Sequence, residues 1–308
     1  IENRLSELWS IFDFLMPGLL GTRESFAKRF ESPVEHSEGD SAARLQALVS
    51  PFVLRRVKED VVADLPEKIE DTVVAQLAGE QRKLYLANQD RIAQQVQHRE
   101  ASEFKKDKLK VLAELTKLRQ ICCDPRLHYE DYKAGSAKLD TCMELVHGAL
   151  DGGHRILLFS QFTGMLDIIG KRLAKEDIAF LKLTGASSKE SRAKMVAQFQ
   201  AGEVPVFLIS LKAGGVGLNL TAADVVIHYD PWWNVAAQDQ ATDRAHRIGQ
   251  QHTVTVYKLI AKDTIEERIM QMQESKRDLV NSVLGGDGIS SALFTREDVL
   301  ALLGGDGR

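Results

Sequence analysis

The sequence predicts an α/β fold whose second part is a parallel sheet with helices on both faces. After residue 136, short apolar runs rich in β-branched residues alternate with helical patterns. These runs, among them 155–160, 204–210 and 224–229, are apolar throughout, so both faces of the sheet should be buried. The residues before 136 show mostly helical patterns and charged connectors. We therefore expect a helical region followed by one parallel-sheet lobe.

The helical region is predicted to contain two long helices and one strand. Residues 79–97 and 106–123 have helical patterns. The second pattern places four side chains on one apolar face: Leu112, Leu115, Leu118 and Cys122. Ahead of these helices, residues 69–77 alternate as a strand does, and a charged connector lies between Pro51 and Pro66. Two antiparallel helices that follow one strand are the expected arrangement.

From Ser136 onward, each helical pattern is followed by a strand pattern. We predict helices over 136–153, 163–176 and 187–200, and strands over 155–160, 179–184, 204–210, 224–229 and 253–260. Ser187 and Glu190 fit a capping box at the third helix. A second capping box, Thr264 to Glu267, starts a final helix that should end at Gly285 and Gly286. Ligands of such sheets bind beyond the carboxyl ends of the strands, so we expect the site in the loops that follow the strands.

Composition excludes several classes of protein. Three cysteines among 308 residues give neither a disulfide framework nor a metal-binding spacing, which predicts a reducing, intracellular compartment. No apolar run approaches the roughly 20 residues of a membrane span, so no membrane partner is expected. The net charge of −4 argues against bulk coating of nucleic acid, so any such contact should be local. The histidines show no ligand spacing, and we assign no metal to the chain.

Two arginines are the strongest candidates for a site. Arg244 and Arg247 lie three residues apart in QATDRAHRIGQ, a segment that resembles the start of a helix, so both should share one helix face. Guanidinium groups present rigid donors that match phosphate oxygens. The chain has neither a phosphate loop nor the Asp-Glu pair that would bind magnesium beside one. The arginines therefore either serve a phosphate loop elsewhere or are ion-paired, solvated residues on a helix face.

A glycine-rich segment raises a different possibility. AGGVGLNL follows a predicted strand and offers Gly215 and Gly217, but Leu220 stands where a dinucleotide fingerprint needs its third glycine. Asp230, at the end of the next strand, would be the ribose carboxylate of a nicotinamide enzyme. The same segment offers free backbone N–H groups beside Lys212, which suit phosphate oxygens equally well. A nicotinamide enzyme is thus kept only as the weaker alternative.

Taken together, the segments resemble the C-terminal part of the Snf-type, double-stranded-DNA-translocating ATPases of helicase superfamily two, a family of chromatin remodellers and their bacterial relatives. ILLFSQFTGMLDII is similar to motif four, LISLKAGGVGLNLTAADVVIHYDPWWN to motif five with its extension, and QATDRAHRIGQ to motif six. Upstream, LVSPFVLRRVKEDVVADLPEK resembles the inter-lobe linker. The resemblance covers nearly the whole chain and implies a RecA-like second motor lobe.

The resemblance also implies domain limits. These are the remainder of a first-lobe helical protrusion over 1–50, the linker over 51–68, a strand plus second helical protrusion over 69–135, the RecA-like lobe with its bracing helix over 136–284, and a tail over 285–308. It implies that most of the first lobe, with the phosphate loop and the magnesium-binding carboxylates, precedes Ile1. The chain should then be inactive without that lobe.

Site residues follow from the same resemblance. Arg244 and Arg247 would be arginine fingers that reach ATP, while ATP and Mg²⁺ are bound mainly by the first lobe. Residues that would orient motif six or couple nucleotide state to DNA are Gln240, Asp243, Gly215, Gly217 and Asn219. Residues that would contact the DNA backbone are Ser160, Gln161, Lys212, Gly214 and Trp233. Val235 departs from the proline often found at this position in the family.

The expected function is therefore the C-terminal motor lobe of an ATP-dependent translocase, with double-stranded DNA and the first lobe as partners. A non-catalytic module that binds DNA or protein is the alternative.

Overall fold

A computed structural model of the chain describes residues 5–31, 41–53, 65–97, 101–214, 217–233, 235–273 and 296–304. For residues 42, 101–108, 212, 214, 236 and 296–298 it describes the backbone alone. The chain divides into two compact units. The first comprises residues 1–63, 233–236 and 271–293, and the second comprises 64–232, 237–270 and 294–308. The domain limits implied by the resemblance stay predictions.

The described part of the first unit is helical, as the sequence predicts. It contains α1 (Leu5–Leu15), α2 (Arg23–Phe26) with a π-helical turn over Ala27–Glu31, and α3 (Ser41–Val49) with a 3₁₀ turn over Ser50–Phe52. Its small core is built from buried side chains that recur at helical spacing: Leu8, Phe12, Leu20, Phe26, Phe30, Leu45 and Val49. The Thr22 hydroxyl caps α2 by accepting from the backbone N–H of Ser25 at 3.2 Å.

A sheet of six parallel strands forms the centre of the second unit, which confirms the predicted fold class. The strands are β1 (Lys68–Ala75), β2 (Ile156–Ser160), β3 (Phe180–Leu183), β4 (Val206–Ser210), β5 (Val225–His228) and β6 (Val254–Ala261), in the order β1-β6-β5-β2-β4-β3. The predicted strand 69–77 is thus one of the two edge strands of this sheet, paired with β6 from Lys68↔Val254 to Ala75↔Ala261.

Helices cover both faces of the sheet. The helices that follow β1 in the chain are α4 (Gly79–Gln97), α5 (Ala101–Cys123), α6 (Ala137–Asp151), α7 (Thr163–Lys175), α8 (Lys189–Gln200), α9 (Leu211–Gly214), α10 (Val235–Thr242), α11 (265–273) and α12 (Arg296–Leu302). Val146 of α6 and Ile169 of α7 pack on one face, and Phe199 of α8 and Ala241 of α10 pack on the other. The continuous apolar strands predicted this two-sided burial.

One helix start differs from its prediction by a residue. Ser188 is the N-cap of α8, since its Oγ accepts from the backbone N–H of Ser191 at 3.2 Å. Ser187 was the predicted cap, but its Oγ accepts from Thr184 N at 3.2 Å and closes the turn after β3. The capping prediction was therefore wrong by one position. The predicted end of the final helix at residues 285 and 286 lies outside the described residues.

A fully buried ion pair joins α6 to α11. Lys138 Nζ donates to Glu266 Oε1 at 2.8 Å and to Oε2 at 2.6 Å, and neither side chain has exposed area. Glu266 Oε2 also accepts from the backbone N–H of Ala261 at 2.9 Å. The Lys138 ammonium lies 5.3 Å from the centroid of the Tyr229 ring. The pair thus links the start of the second predicted lobe to the helix that follows β6.

The three cysteines are buried and form no disulfide. Burial raises the pKa of the Cys142 thiol to about 12, so this thiol stays protonated near neutral pH. Within the described ranges, no three His, Cys, Asp or Glu side chains lie close enough together to hold a metal ion. The helices of that same part of the chain are too short or too polar to cross a bilayer.

Candidate functional site

Arg244 and Arg247 lie in an irregular turn and not on a helix. The helix α10 ends at Thr242, so the prediction that both arginines share one helix face was wrong. After Thr242 the backbone N–H groups of Arg244 and Ala245 donate to the carbonyls of Ala241 and Thr242, three residues back, so the α-helical pattern gives way to turns. The carbonyl of Arg244 accepts from the backbone N–H of Leu220 at 2.9 Å, which holds this turn against the loop before β5. We call residues 244–250 the finger turn.

The guanidinium of Arg244 is buried but incompletely satisfied. Only 7% of the residue is exposed, and its Nε has no hydrogen-bond partner among the described residues. Burial lowers the pKa of Arg244, and the positive charge of Arg247 lowers it further, whereas Asp243 opposes both effects. Arg247 itself is exposed. Because an arginine remains charged in proteins, this turn presents positive charge with an unused donor, which an anion would complete.

The predicted coupling residues lie in the loop that meets the finger turn. Gly217 has φ of 45°, a left-handed conformation that favours glycine, and Asn219 is exposed two residues later. Gln200 of α8 holds this loop by donating to the carbonyl of Asn219 at 3.2 Å. We call residues 217–223 the coupling loop. Gly215, the third predicted coupling glycine, lies outside the described residues.

The remaining two predicted coupling residues lie at the end of α10. Gln240 is exposed on the helix, and Asp243 is exposed just beyond it. The negative charges of Asp239 and Asp243 act on Lys68 at the start of β1, and both raise its pKa. Burial acts to lower this pKa, but the bond to Glu70 and the three carboxylate charges together outweigh it, and the net pKa of Lys68 is raised. The carboxylates at the end of α10 therefore lie near enough to the start of β1 to act on Lys68.

Two further contacts fix the finger turn against the sheet. His246 Nε2 lies 2.7 Å from the carbonyl oxygen of Pro66, in the segment that leads into β1. His228 Nε2, at the end of β5, lies 2.8 Å from Thr242 Oγ1 at the end of α10. Burial lowers the pKa of His228 to about 3, so it is neutral near pH 7. The finger turn is therefore held at the amino end of β1, and the end of α10 that precedes it is held on β5.

A second group of predicted residues lies at the carboxyl ends of β2 and β5. Ser160 is fully buried and donates to Asp230, while the backbone N–H of Gln161 donates to the other oxygen of Asp230 at 3.2 Å. Asp230 is 1% exposed. It therefore organises these two strand ends and has no free face for a ribose, which removes the support for a nicotinamide enzyme. The burial of Ser160 was not expected for a residue that contacts DNA.

Arg119 is a buried arginine beside the predicted site residue Gln161, and sequence reasoning missed it. It is 1% exposed, and it donates to Gln161 Oε1 at 3.1 Å and to the carbonyl of Pro231. Its guanidinium lies 5.8 Å from the centroid of the Phe162 ring. Arg119 occupies the helical position four residues after Leu115, on the apolar face already recognised. A charged residue on that face was the signal that would have identified it.

A polar pocket opens between the carboxyl ends of β2, β3 and β4. Its volume is about 390 Å³, and it is lined by Gln161, Thr163, Asp167, Lys182, Thr184, Gly185, Ala186 and Ser210. Within the described residues, neither Ser210 Oγ nor Gln161 Nε2 has a hydrogen-bond partner, although both atoms are buried. Lys182 forms an ion pair with Asp167 at the rim. The pocket thus combines two unused donors with a lysine that is already paired with a carboxylate.

Of the predicted DNA-contacting residues, the structure brings Ser160 and Gln161 together. Lys212 and Gly214 lie in α9, directly after β4, where the structure describes their backbone alone. Trp233 belongs to the first unit. Its neighbour Trp232 packs against the core of the second unit.

Comparisons with known proteins match both parts of the chain to one family. Residues 1–127 match the SNF2-related domain, and residues 137–249 match the helicase conserved C-terminal domain. An ATP-dependent helicase of Mycoplasma pneumoniae, named as uncharacterized, is 40% identical over 304 residues, which cover 98% of this chain and 29% of that protein. The chain therefore spans less than a third of the length of this relative.

Two solved structures from Sulfolobus solfataricus are also similar. The SWI2/SNF2 ATPase C-terminal domain is 32% identical with a TM-score of 0.62, covering 77% of this chain and 98% of that chain. The SWI2/SNF2 ATPase core in complex with dsDNA is 35% identical with a TM-score of 0.65, covering 97% and 64%. These similarities confirm the resemblance found in the motifs and identify the parallel sheet as RecA-like. The chain belongs to the SWI2/SNF2 family of ATPases in helicase superfamily two.

Proposed function

We propose that this chain is the C-terminal motor lobe of an ATP-dependent double-stranded-DNA translocase. The observation that carries the proposal is the finger turn, where the buried guanidinium of Arg244 retains an unused Nε and Arg247 extends into solvent. Its relatives support the assignment, because one is named an ATP-dependent helicase and another was solved in complex with dsDNA. ATP is the substrate, and a first lobe that is not in this chain holds most of it.

In this proposal the two arginines stabilise charge on the phosphoryl group that is transferred. Arg247 is exposed and able to reach across to a nucleotide held by another lobe, while Arg244 supplies a second, partly desolvated positive charge. Arginine fingers of this kind raise kcat by about 10³ to 10⁵. Gln240 and Asp243 orient the turn, and Gly215, Gly217 and Asn219 connect it to DNA contacts.

Mg²⁺ is assigned to the first lobe. Its usual protein ligands are carboxylates, and the family resemblance implies that these belong to that lobe. We also propose that the chain alone does not hydrolyse ATP.

The polar pocket is proposed to hold a DNA phosphate. Gln161 and Ser210 offer the two unused donors to a phosphate oxygen, so the contact reads the backbone and not the base sequence. Such a local site fits a chain of net charge −4. Lys212, Gly214 and Trp233 remain proposed backbone contacts. Ser160 is reassigned as a positioning residue, because its buried hydroxyl holds Asp230.

The test is an ATPase assay on the full-length protein with and without duplex DNA. Arg247→Ala should lower DNA-stimulated kcat by about 10³-fold. Arg82→Ala is the matched control, since Arg82 is an exposed arginine of α4 outside this site, and it should stay within about twofold of wild type. Full activity of Arg247→Ala would refute the finger assignment. DNA binding by a wild-type protein without any ATPase activity would support the alternative of a binding module.

A further inference from the structure

Gln250 makes an unusually complete set of hydrogen bonds at the end of the finger turn. The residue is 6% exposed. Its Nε2 donates to three backbone carbonyls: those of Thr221 at 3.2 Å, Ala223 at 2.7 Å and Ala245 at 3.1 Å. Its Oε1 accepts from the backbone N–H groups of Gln251 at 2.9 Å and His252 at 3.0 Å. The side-chain amide is therefore used on both its donor and acceptor sides.

These bonds connect two segments that are separate in sequence. Thr221 and Ala223 belong to the coupling loop, while Ala245 belongs to the finger turn. Among the described residues, one backbone–backbone hydrogen bond also joins the two segments, from the N–H of Leu220 to the carbonyl of Arg244. The Gln250 side chain thus supplies most of the polar attachment of one segment to the other.

The hydrogen bonds of Gln250 hold the base of the turn and leave its tip exposed. Gln250 N donates to the carbonyl of Arg247 at 2.9 Å, and Gly249 has φ of 101°, so the chain reverses tightly. Arg247 is exposed, and Ile248 beside it is 72% exposed. A turn with a fixed base and an exposed arginine at its tip is suited to presenting that arginine in one direction.

We propose that Gln250 is a positioning residue that makes the finger turn and the coupling loop move as one body. This inference rests on the proposed function, in which the loop responds to DNA and the turn acts on ATP. Gln250 contacts neither ligand. Its amide fixes where Arg244 and Arg247 lie relative to the coupling loop, so that a displacement of the loop on DNA is transmitted to the arginines.

Two substitutions in the full-length protein test the role. Gln250→Glu keeps the shape and the acceptor but sets a carboxylate oxygen against three carbonyls. Gln250→Met keeps the length without charge, and serves if the first variant fails to fold. Gln251→Glu and Gln251→Met are the matched controls, because the Gln251 side chain is exposed and only its backbone N–H joins the network. Folding is monitored by circular dichroism, and kcat, KM for ATP and Kd for duplex DNA are measured.

The Gln250 variants should lose about 10- to 100-fold in DNA-stimulated kcat, as displaced catalytic groups do, while KM and Kd change by less than about threefold. The controls should match wild type. A folded Gln250 variant with wild-type kcat, a loss expressed in KM or Kd alone, or unfolding of both variants would overturn the inference. A wild-type protein without DNA-stimulated ATPase activity would instead refute the proposed function, so the two failures are distinguishable.

Discussion

Removing one partner of the buried Lys138–Glu266 pair should destabilise the second unit severely. Both side chains are fully buried, and two bonds of 2.8 and 2.6 Å join them, so Lys138→Met leaves a carboxylate uncompensated in the core. Breaking a buried pair in this way costs about 3–5 kcal/mol of the free energy of unfolding. Glu266→Gln should cost a similar amount by isolating the ammonium, while still accepting from Ala261 N.

The double variant separates the pair from its surroundings. Lys138→Met combined with Glu266→Gln removes both charges, so the two losses should not add, with a coupling free energy of about 2–4 kcal/mol. The exposed pair Lys182 and Asp167 is the matched control, with side chains 40% and 52% exposed. Its coupling free energy should be below about 1 kcal/mol.

The measurement is urea unfolding followed by circular dichroism for each single and double variant. Additive losses in the Lys138 and Glu266 cycle, or single losses below about 1 kcal/mol, would refute the reasoning. Burial acts to lower the pKa of Lys138, but Glu266 and neighbouring groups outweigh it, and the net pKa is raised. The contribution of the pair is therefore complete below the pKa of an ordinary lysine and is lost as pH rises through the higher folded value.

Two other outcomes follow from the site. Ser210→Ala removes a buried hydroxyl without a partner in the described part of the chain, so the free energy of unfolding should change by less than about 1 kcal/mol while Kd for duplex DNA rises about tenfold. Ser191→Ala is the control, because Ser191 is an exposed residue of α8, and it should leave Kd unchanged. An unaltered Kd for Ser210→Ala would exclude the Ser210 hydroxyl from the phosphate contact. Burial alone would raise the pKa of Glu70, but hydrogen bonds from Lys258 and Lys68 lower it to about 2. Glu70→Gln should therefore lower the free energy of unfolding by about 1 kcal/mol at pH 7. This difference should disappear as pH falls through about 2, and an equal loss at pH 7 and at about pH 2 in an acid titration would contradict it.

Local patterns in the sequence were enough to place the strands and most helices. Apolar runs placed β2, β4 and β5, because a strand buried on both faces needs apolar side chains at every position. The same patterns carry no information about pairing. The alternation at 69–77 predicted a strand, but nothing in it indicated that β6, about 180 residues later, would be its neighbour.

The site was predictable in composition but not in geometry. The arginines were found because their residue type and spacing fit phosphate, yet the helix that was expected to carry them ends at Thr242. After Thr242 the backbone N–H groups bond three residues back, and the turn that follows is held by Leu220, whose backbone N–H donates to the Arg244 carbonyl. Ser187 and Ser188 fit a cap almost equally well in sequence, and the choice depends on Thr184. A contact with a distant segment thus holds the arginines, whereas a local contact decides the cap.

The position of β1 has a consequence for synthesis on the ribosome. It is the first strand of the sheet to be translated, but its sole neighbour in the described sheet is the last strand, β6. At about 5–20 residues per second, the roughly 180 intervening residues take about 10–40 s to emerge. Throughout that interval β1 has no native partner, so its backbone N–H and C=O groups stay open to pairing with another extended chain.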